Sequence, residues 1–204
     1  RTGSMVLGFS PADREHLEKL LENGRANGVE DMRIIEDDEI WEHEPRASKE
    51  ATCALWCPST GYVDPFEVAI AAAENAAANG VEFWRSAAVD AIDEHADGFV
   101  LHTSAGDLSA SYLVNAAGNA DISRMAGGEH FELVWRQGNI AVLDHEARPL
   151  MPLYPIPTSV SKGVIVTGTV HGNTVITATA AIREAGDNDT YAADVEELLS
   201  GARK

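Results

Sequence analysis

A change in hydrophobic periodicity near residue 82 constrains the fold of this chain more than any other feature of its sequence. Before that point apolar residues recur mainly at helical spacing, whereas after it they alternate with polar residues as they do in strands. Gly172-Asn173 is typical of a hairpin turn between the last two alternating runs. No helix-like segment separates the later runs, so we expect antiparallel pairing. The predicted strands after residue 80 are 81–84, 87–94, 98–103, 107–114, 131–143, 151–156, 163–170 and 173–179.

Capping residues indicate where the helices begin. Ser10 before Pro11 and Asp64 before Pro65 are favourable N-cap and N1 pairs, so long helices are expected from both positions. The other predicted elements are a short helix capped by Asp37-Asp38 and running through His43, a final helix carrying Val195, Leu198 and Leu199, and strands at 5–9, 32–35 and 51–57. The predicted fold class is therefore α+β with a mostly antiparallel sheet.

The charge balance excludes several classes of partner. Thirty-three acidic residues against fifteen Lys and Arg give a net charge of −18. This sign disfavours nucleic acids and acidic lipid surfaces, which attract basic proteins. It also repels small anions at long range, so a site for one needs local cations. No apolar run reaches the roughly 18–20 residues of a membrane span, so no membrane-spanning segment is predicted.

The two cysteines, Cys53 and Cys57, have a C-x₃-C spacing that fits neither a redox pair nor half of a zinc site. We expect them to be free thiols, which agrees with a reducing, cytoplasmic location. The histidines show no pairing typical of a metal site either. The sequence therefore predicts no metal.

The segment from Ser111 to Gly127 combines an apolar run, Tyr112 to Val114, with the small residues Asn115-Ala-Ala-Gly118 and a short helical pattern. A strand, a small-residue turn and a helix are the arrangement by which α/β sheets bring bare backbone to a ligand. A strand-to-helix turn without a ligand has a similar composition, so the segment alone leaves both interpretations open.

Asn115-Ala-Ala-Gly118 resembles the corresponding turn of FAD-dependent oxidoreductases of the D-amino-acid oxidase superfamily. Other segments occur in the order found in FAD-dependent glycerol-3-phosphate dehydrogenases. They are Trp41-Glu-His-Glu-Pro45, Ala54-Leu-Trp-Cys-Pro58, Thr60-Gly-Tyr-Val-Asp-Pro65, Tyr154-Pro-Ile-Pro-Thr158, Ser161-Lys-Gly163 and Thr167-Gly-Thr-Val-His-Gly-Asn173. The resemblance implies FAD as the cofactor, with Asn115, Ala116, Ala117 and Gly118 among the residues that bind it.

The family's Gly-x-Gly-x-x-Gly turn, which holds the cofactor pyrophosphate, does not occur in these 204 residues. We therefore expect an internal fragment of a larger flavoenzyme, whose partner is the remainder of the parent chain. Such a fragment alone is expected to hold no FAD and to be inactive. By resemblance, 1–61 and 129–187 form a substrate domain, a mostly antiparallel sheet with helices on one face. The resemblance also implies that 62–128 form an incomplete piece of the FAD-binding domain and 188–204 a C-terminal helix.

The resemblance also implies a small anionic substrate, glycerol 3-phosphate or a related 2-hydroxy compound. The candidate substrate-binding residues are Arg136, which lies in an apolar run, Lys162 and Tyr154. The guanidinium of Arg136 can bind a phosphate or carboxylate with two hydrogen bonds. Each has a plainer alternative: a salt bridge for Arg136, a solvated turn for Lys162 and a core edge for Tyr154. Gln137 replaces the family's usual Arg, which leaves the substrate open.

His171 lies in the predicted hairpin, where the family places residues near the flavin. It is the candidate catalytic residue, able to accept the hydroxyl proton while a hydride leaves for the flavin. A turn histidine that only faces water is the alternative. Sister activities on 2-hydroxy acids or amino acids, and a non-catalytic binding or assembly module, also stay open. The sequence does not identify the electron acceptor.

Overall fold

The computed structural model describes residues 1–118, 134–158 and 163–203. The helices in these ranges are α1 (Pro11–Ala26), α2 (Asp38–His43), α3 (Pro65–Ala78) and α4 (Ala192–Ala202). The strands are β1 (Ser4–Gly8), β2 (Arg33–Glu36), β3 (Cys53–Cys57), β4 (Val89–His95), β5 (Gly98–Thr103), β6 (Gly106–Ala110), β7 (Arg136–Gln137), β8 (Ile140–Leu143), β9 (Leu153–Tyr154), β10 (Ile165–Gly168), β11 (Thr174–Thr177) and β12 (Ala181–Ile182).

The chain divides into two compact units, of which the first comprises Arg1–Ala69 and Trp135–Lys204 and the second Ile70–Val134. The largest described sheet lies in the first unit, with strand order β2-β3-β1-β9-β10-β11-β8. Only the β1–β9 pairing in this sheet is parallel. The predicted α+β class with a mostly antiparallel sheet is confirmed. The assignment of segments to substrate and cofactor domains stays a prediction, because the units are defined by contacts alone.

Helix α1 begins as its capping residues predict. Ser10 has extended backbone angles, and its hydroxyl accepts a hydrogen bond of 3.2 Å from the Asp13 N–H. The helix buries Leu17 completely against Cys53 and Leu55 of β3. Burial of one leucine side chain contributes roughly 1.5–3 kcal/mol, so this contact fixes α1 on the sheet.

Helix α2 packs on the opposite face of the same sheet. Its Ile40 is fully buried in a cluster with Met5, Leu7 and Ala54. Successive strand residues point to opposite faces, so Ala54 and its neighbour Leu55 belong to different faces. Helices α1 and α2 therefore cover both sides, which corrects the expectation that all helices lie on one face. Both faces carry apolar residues, Leu55 on one and Met5 and Leu7 on the other, so each face needs a cover.

A fully buried carboxylate, that of Glu44, fastens the end of α2 to the chain that leads into β9. Its Oε1 accepts a 3.0 Å hydrogen bond from the Arg46 N–H. Its Oε2 accepts hydrogen bonds from the Leu150 N–H and, at 3.2 Å, from the Met151 N–H. A buried charge is tolerated only with such partners, so Glu44 is a structural residue of the first unit.

Two predicted strands differ in the structure because they lack pairing partners among the described residues. Residues 81–84 form no strand, and Val81, Phe83 and Trp84 are about half exposed. Strand β6 ends at Ala110, so the predicted strand 107–114 is too long. The second unit's sheet has the order β4-β5-β6, and the chain leaves its edge after β6. Without a neighbouring strand, the N–H and C=O groups of an extended segment have no ladder of hydrogen bonds to join.

The predicted strand 131–143 is interrupted, and its first three residues lie outside the described residues. A Cβ on Gly138 would lie 3.2 Å from the Ala178 Cβ, while the Asn139 N–H donates to Thr179 Oγ1 at 2.9 Å. These contacts turn the chain, so β7 pairs with β12 and β8 pairs with β11. The predicted strand 151–156 is likewise reduced to β9, and its pairing with β1 is the parallel one.

Candidate functional site

The β10–β11 hairpin presents His171 at its turn. The Thr169 N–H donates to the Asn173 carbonyl at 2.9 Å, and Gly172 has a φ of +99°, which favours glycine. The His171 side chain is 64% exposed, and its Nε2 lies 3.1 Å from Asp64 Oδ2. The structure thus pairs the candidate catalytic histidine with a carboxylate 107 positions away in the chain. The catalytic role itself stays a prediction.

Asp64 serves two partners with its two oxygens. Oδ1 caps α3 by accepting hydrogen bonds from the Phe66 N–H at 2.8 Å and the Glu67 N–H at 3.0 Å. The Glu67 N–H, followed by the His171 ring and the Phe66 N–H, lowers the pKa of the Asp64 carboxyl below its ordinary value. Asp64 therefore stays ionised beside His171. The sequence predicted its capping role, and the contact with His171 was missed.

Arg148 and Tyr62 form a second long-range contact on this side of the first unit. The Arg148 Nη2 donates to the Tyr62 hydroxyl at 2.6 Å. A Cβ on the buried Gly168 of β10 would lie 2.6 Å from Arg148 Nε and 3.3 Å from the Tyr62 hydroxyl. The arginine can therefore lie against β10 only because residue 168 has no side chain. No sequence pattern singled out Arg148, and Tyr62 was noted only as a member of the Thr60–Pro65 segment.

The predicted substrate-binding residues have separate environments. Arg136 is exposed on β7, opposite Ile182 of β12. Tyr154 is half-buried on β9 and lines a cavity of about 330 Å³. Lys162 lies outside the described residues. Arg136 and His171 are not among the residues that line this cavity, so the structure does not gather the predicted substrate residues into it.

The cavity that Tyr154 lines is apolar over most of its wall. Side chains from β1, β8, β9, β10 and β11 form much of the wall, and its polar members are Arg46, Ser48, Tyr154, Thr174 and Arg203. The apolar majority of the wall suits an apolar group. The substrate-binding role of Tyr154 stays a prediction.

Next to Arg136, Gln137 belongs to a polar network centred on Arg183. Arg183 Nε donates to Gln137 Oε1 at 3.1 Å, and its Nη2 donates to both carboxylate oxygens of Asp194 at 2.9 and 2.8 Å. Only 6% of the Asp194 side chain is exposed, and the Arg183 guanidinium also lies over the Tyr191 ring. This network ties β7 and β12 to α4. It could not be predicted because Arg183 and Asp194 carry no distinctive pattern.

The predicted cofactor turn is exposed throughout. Asn115, Ala116, Ala117 and Gly118 are all solvent-accessible, and the Ala117 N–H donates to Asn115 Oδ1 at 3.1 Å. Gly118 has a φ of +65°, and apart from Gly118 and its chain neighbours, no atom of the described residues lies within 4 Å of the position its Cβ would take. An open turn of small residues is what a ligand's close approach to backbone requires, so this turn fits a dinucleotide. The helix predicted after it lies outside the described residues.

The described residues include neither a cluster that could hold a metal ion nor a helix that could span a membrane. In the described ranges, no group of three or more His, Cys, Asp or Glu side chains could hold a metal ion. Cys53 is buried and Cys57 is partly buried, and both are free thiols. Among the helices that the structure describes, none has the length and apolar character needed to span a bilayer.

Comparisons with known proteins agree with this architecture. The family model described as FAD dependent oxidoreductase matches residues 1–204. A glycerol 3-phosphate dehydrogenase from Caloramator mitchellensis is 36% identical over 180 residues, which are 86% of this chain and 38% of that protein. An L-2-hydroxyglutarate dehydrogenase from Escherichia coli (strain K12) is 28% identical over 222 residues, 99% of this chain and 50% of that protein.

A solved structure has the same fold. Dithionite-reduced L-alpha-glycerophosphate oxidase from Mycoplasma pneumoniae, with FAD bound, superposes with a TM-score of 0.85 at 23% identity. The match covers 97% of this chain and 55% of that chain. The chain thus spans between about a third and just over half the length of these three proteins. The family resemblance drawn from the sequence segments is confirmed.

Proposed function

The chain belongs to the FAD dependent oxidoreductase family, and we propose that it is part of a flavoenzyme that oxidises glycerol 3-phosphate. The observation that carries this proposal is the 36% identity with the Caloramator glycerol 3-phosphate dehydrogenase over 86% of the chain. The fold shared with a glycerophosphate oxidase supports it. The substrate class is a small anion with a hydroxyl on the carbon that is oxidised.

The proposed roles follow from the chemistry of each side chain. Arg136 and Lys162 supply positive charge for the phosphate, and the Tyr154 hydroxyl supplies a hydrogen bond. Asn115 to Gly118 contact FAD, which accepts the hydride when it is bound. His171 accepts the hydroxyl proton. The exposed His171 ring with its carboxylate partner and the open Gly118 turn support these assignments.

Oxidation of a 2-hydroxy acid is the second candidate function. It is favoured by the L-2-hydroxyglutarate dehydrogenase relatives, which align over as much as 99% of this chain. Both candidates need a cation for the anionic group and a base for the hydroxyl proton. They differ in whether the cation binds a phosphate or a carboxylate. A non-catalytic module would oxidise neither substrate.

The experiment mixes the flavin-loaded enzyme, without oxygen, with glycerol 3-phosphate and separately with L-2-hydroxyglutarate. We expect glycerol 3-phosphate to bleach the flavin's visible absorbance faster. Faster bleaching by L-2-hydroxyglutarate would overturn the substrate assignment in favour of the second candidate. A full-length protein, as distinct from this chain alone, that binds no flavin and reacts with neither compound would be the non-catalytic module.

Substitution of Arg136 tests its role in the same assay. A hydrogen bond to a charged group contributes about 1.5–3 kcal/mol, so Arg136→Gln should raise KM for glycerol 3-phosphate about 10- to 100-fold. Arg136→Lys keeps the charge without the two-pronged geometry and should raise KM less. Arg25→Gln, at an exposed position of α1, is the matched control. Equal KM values for Arg136→Gln and Arg25→Gln would refute the role of Arg136.

A further inference from the structure

We propose that Asp64 is a positioning residue for His171, whose ring it holds with the proton on Nε2 so that Nδ1 is the atom that accepts the substrate's hydroxyl proton. The inference rests on the proposed function, in which His171 is the base. It adds a residue to the site and names the nitrogen that reacts.

The two oxygens of Asp64 fix the carboxylate before it meets the histidine. Oδ1 is held by the N–H groups of Phe66 and Glu67 in the first turn of α3. Oδ2 is left to point at His171 Nε2, 3.1 Å away. Only 16% of the Asp64 side chain is exposed, so the carboxylate has little freedom to turn away. A rigid acceptor is therefore aimed at one ring nitrogen.

An ionised carboxylate can only accept hydrogen bonds. Nε2 of His171 must therefore be the donor, and in the neutral ring the lone pair then lies on Nδ1. Packing does not hold the ring, because 64% of the His171 side chain is exposed. The contact with Asp64 is thus what orients the imidazole. Without it, the ring is free to rotate and to exchange its two neutral forms.

The proposed step balances in protons and electrons. The substrate's O–H bond breaks and its proton goes to Nδ1 of His171. The C–H bond on the same carbon breaks, its electron pair leaves with the hydrogen as a hydride to the flavin, and a C=O bond forms. The ring becomes an imidazolium, and its new positive charge faces the Asp64 carboxylate. Such an arrangement orients the base and stabilises its charged form.

Asp64→Asn separates positioning from structure. The two backbone donors at Oδ1 require an acceptor, so the asparagine's oxygen takes that place and its NH₂ group faces His171. The amide then donates to Nε2, which forces the ring proton onto Nδ1. The cap of α3 is kept, and only the form of the ring changes. Asp64→Ser also keeps a capping residue but does not reach the ring.

The first readout is the ¹⁵N spectrum of the His171 ring in the chain itself, at a pH where the ring is neutral. We expect the Nε2–H form in the unsubstituted chain, the Nδ1–H form in Asp64→Asn and a mixture in Asp64→Ser. Asp144→Asn, beside His145, is the matched control and should leave the His171 signals unchanged. An Nε2–H ring in Asp64→Asn would overturn the inference.

The second readout is the kinetics of the flavin-loaded enzyme with whichever 2-hydroxy compound it oxidises. General base catalysis contributes at least about 10²-fold, so Asp64→Asn should lower kcat by about that factor and leave KM unchanged. Asp64→Ser should lower kcat less, an order that a purely structural role would not produce. Equal kcat values for Asp64→Asn and the unsubstituted enzyme would overturn the inference. Oxidation of L-2-hydroxyglutarate alone would overturn the substrate assignment and leave this test intact.

Discussion

Removal of the buried Glu44 carboxylate should destabilise the first unit more than any exposed substitution. Glu44 is fully buried, and its oxygens accept hydrogen bonds from the N–H groups of Arg46, Leu150 and Met151. Glu44→Ala leaves these donors without an acceptor. Water can reach the N–H groups of Arg46 and Leu150, since both residues are exposed, whereas the Met151 hydrogen bond is buried.

The magnitude follows from the Met151 N–H, the donor that water cannot serve. A buried donor left unsatisfied costs about 1–3 kcal/mol. Relief of the buried charge offsets part of this cost. We expect Glu44→Ala to lower the free energy of unfolding by about 2 kcal/mol. Glu44→Gln keeps the volume and one acceptor oxygen, so about half that loss is expected.

Urea unfolding followed by tryptophan fluorescence measures this loss, because Trp41 and Trp56 pack against the core cluster beside Glu44. The free energy is extrapolated linearly to zero urea for each variant. Glu42→Ala, at an exposed position of α2, is the control for lost helix charge. A Glu44→Ala loss within about 0.5 kcal/mol of the control would refute the reasoning, because surface substitutions lie in that range.

Two further predictions concern residues that the sequence did not single out. Gly168→Ala should lower the free energy of unfolding by about 1–2 kcal/mol, because the new Cβ would lie 2.6 Å from Arg148 Nε and displace Arg148 from β10. Urea unfolding should show that this loss vanishes in an Arg148→Ala background. A loss that Arg148→Ala leaves unchanged would contradict the prediction. His102 of β5 lies 3.0 Å from each of the Asp93 and Asp107 carboxylates, which raise its pKa above its ordinary value of 6.5. The contribution of His102 to stability should therefore be complete below pH 6.5 and be lost as the pH rises through the raised pKa. An NMR titration of His102 with a midpoint at or below 6.5 would contradict this. So would a pH dependence of unfolding that survives in His102→Gln.

The sequence predicted the elements that depend on local chemistry. Ser10 and Asp64 start α1 and α3 as their caps require, and Gly172-Asn173 closes the last hairpin. Elements that depend on a distant partner were predicted less well. Residues 81–84 alternate as a strand does but have no neighbour in the described ranges. A long predicted strand is divided at Gly138, where a Cβ would lie 3.2 Å from that of Ala178, 40 positions away.

The site follows the same division. His171 and the Asn115–Gly118 turn were found because each has a local pattern, a hairpin turn and a run of small residues. The contact of Arg148 with Tyr62 was missed because it joins residues 86 positions apart. Asp64 was found as a helix cap, but its second oxygen has a role that depends on where the β10–β11 hairpin folds. Periodicity cannot report a contact of that kind.

The weakness of the His171–Asp64 contact as a source of stability is itself an argument for a role in orientation. A hydrogen bond to a solvent-exposed partner adds little to stability, and the His171 side chain is mostly exposed. The cap on α3 is the part of Asp64 that stabilises the fold, and asparagine preserves it. Asp64→Asn should therefore leave the free energy of unfolding nearly unchanged while it moves the proton on the His171 ring. Glu44→Ala should do the reverse, losing stability without changing that ring. Two carboxylates in one unit are thus separable by experiment, because one holds backbone donors in the core and the other divides its oxygens between a helix and a histidine.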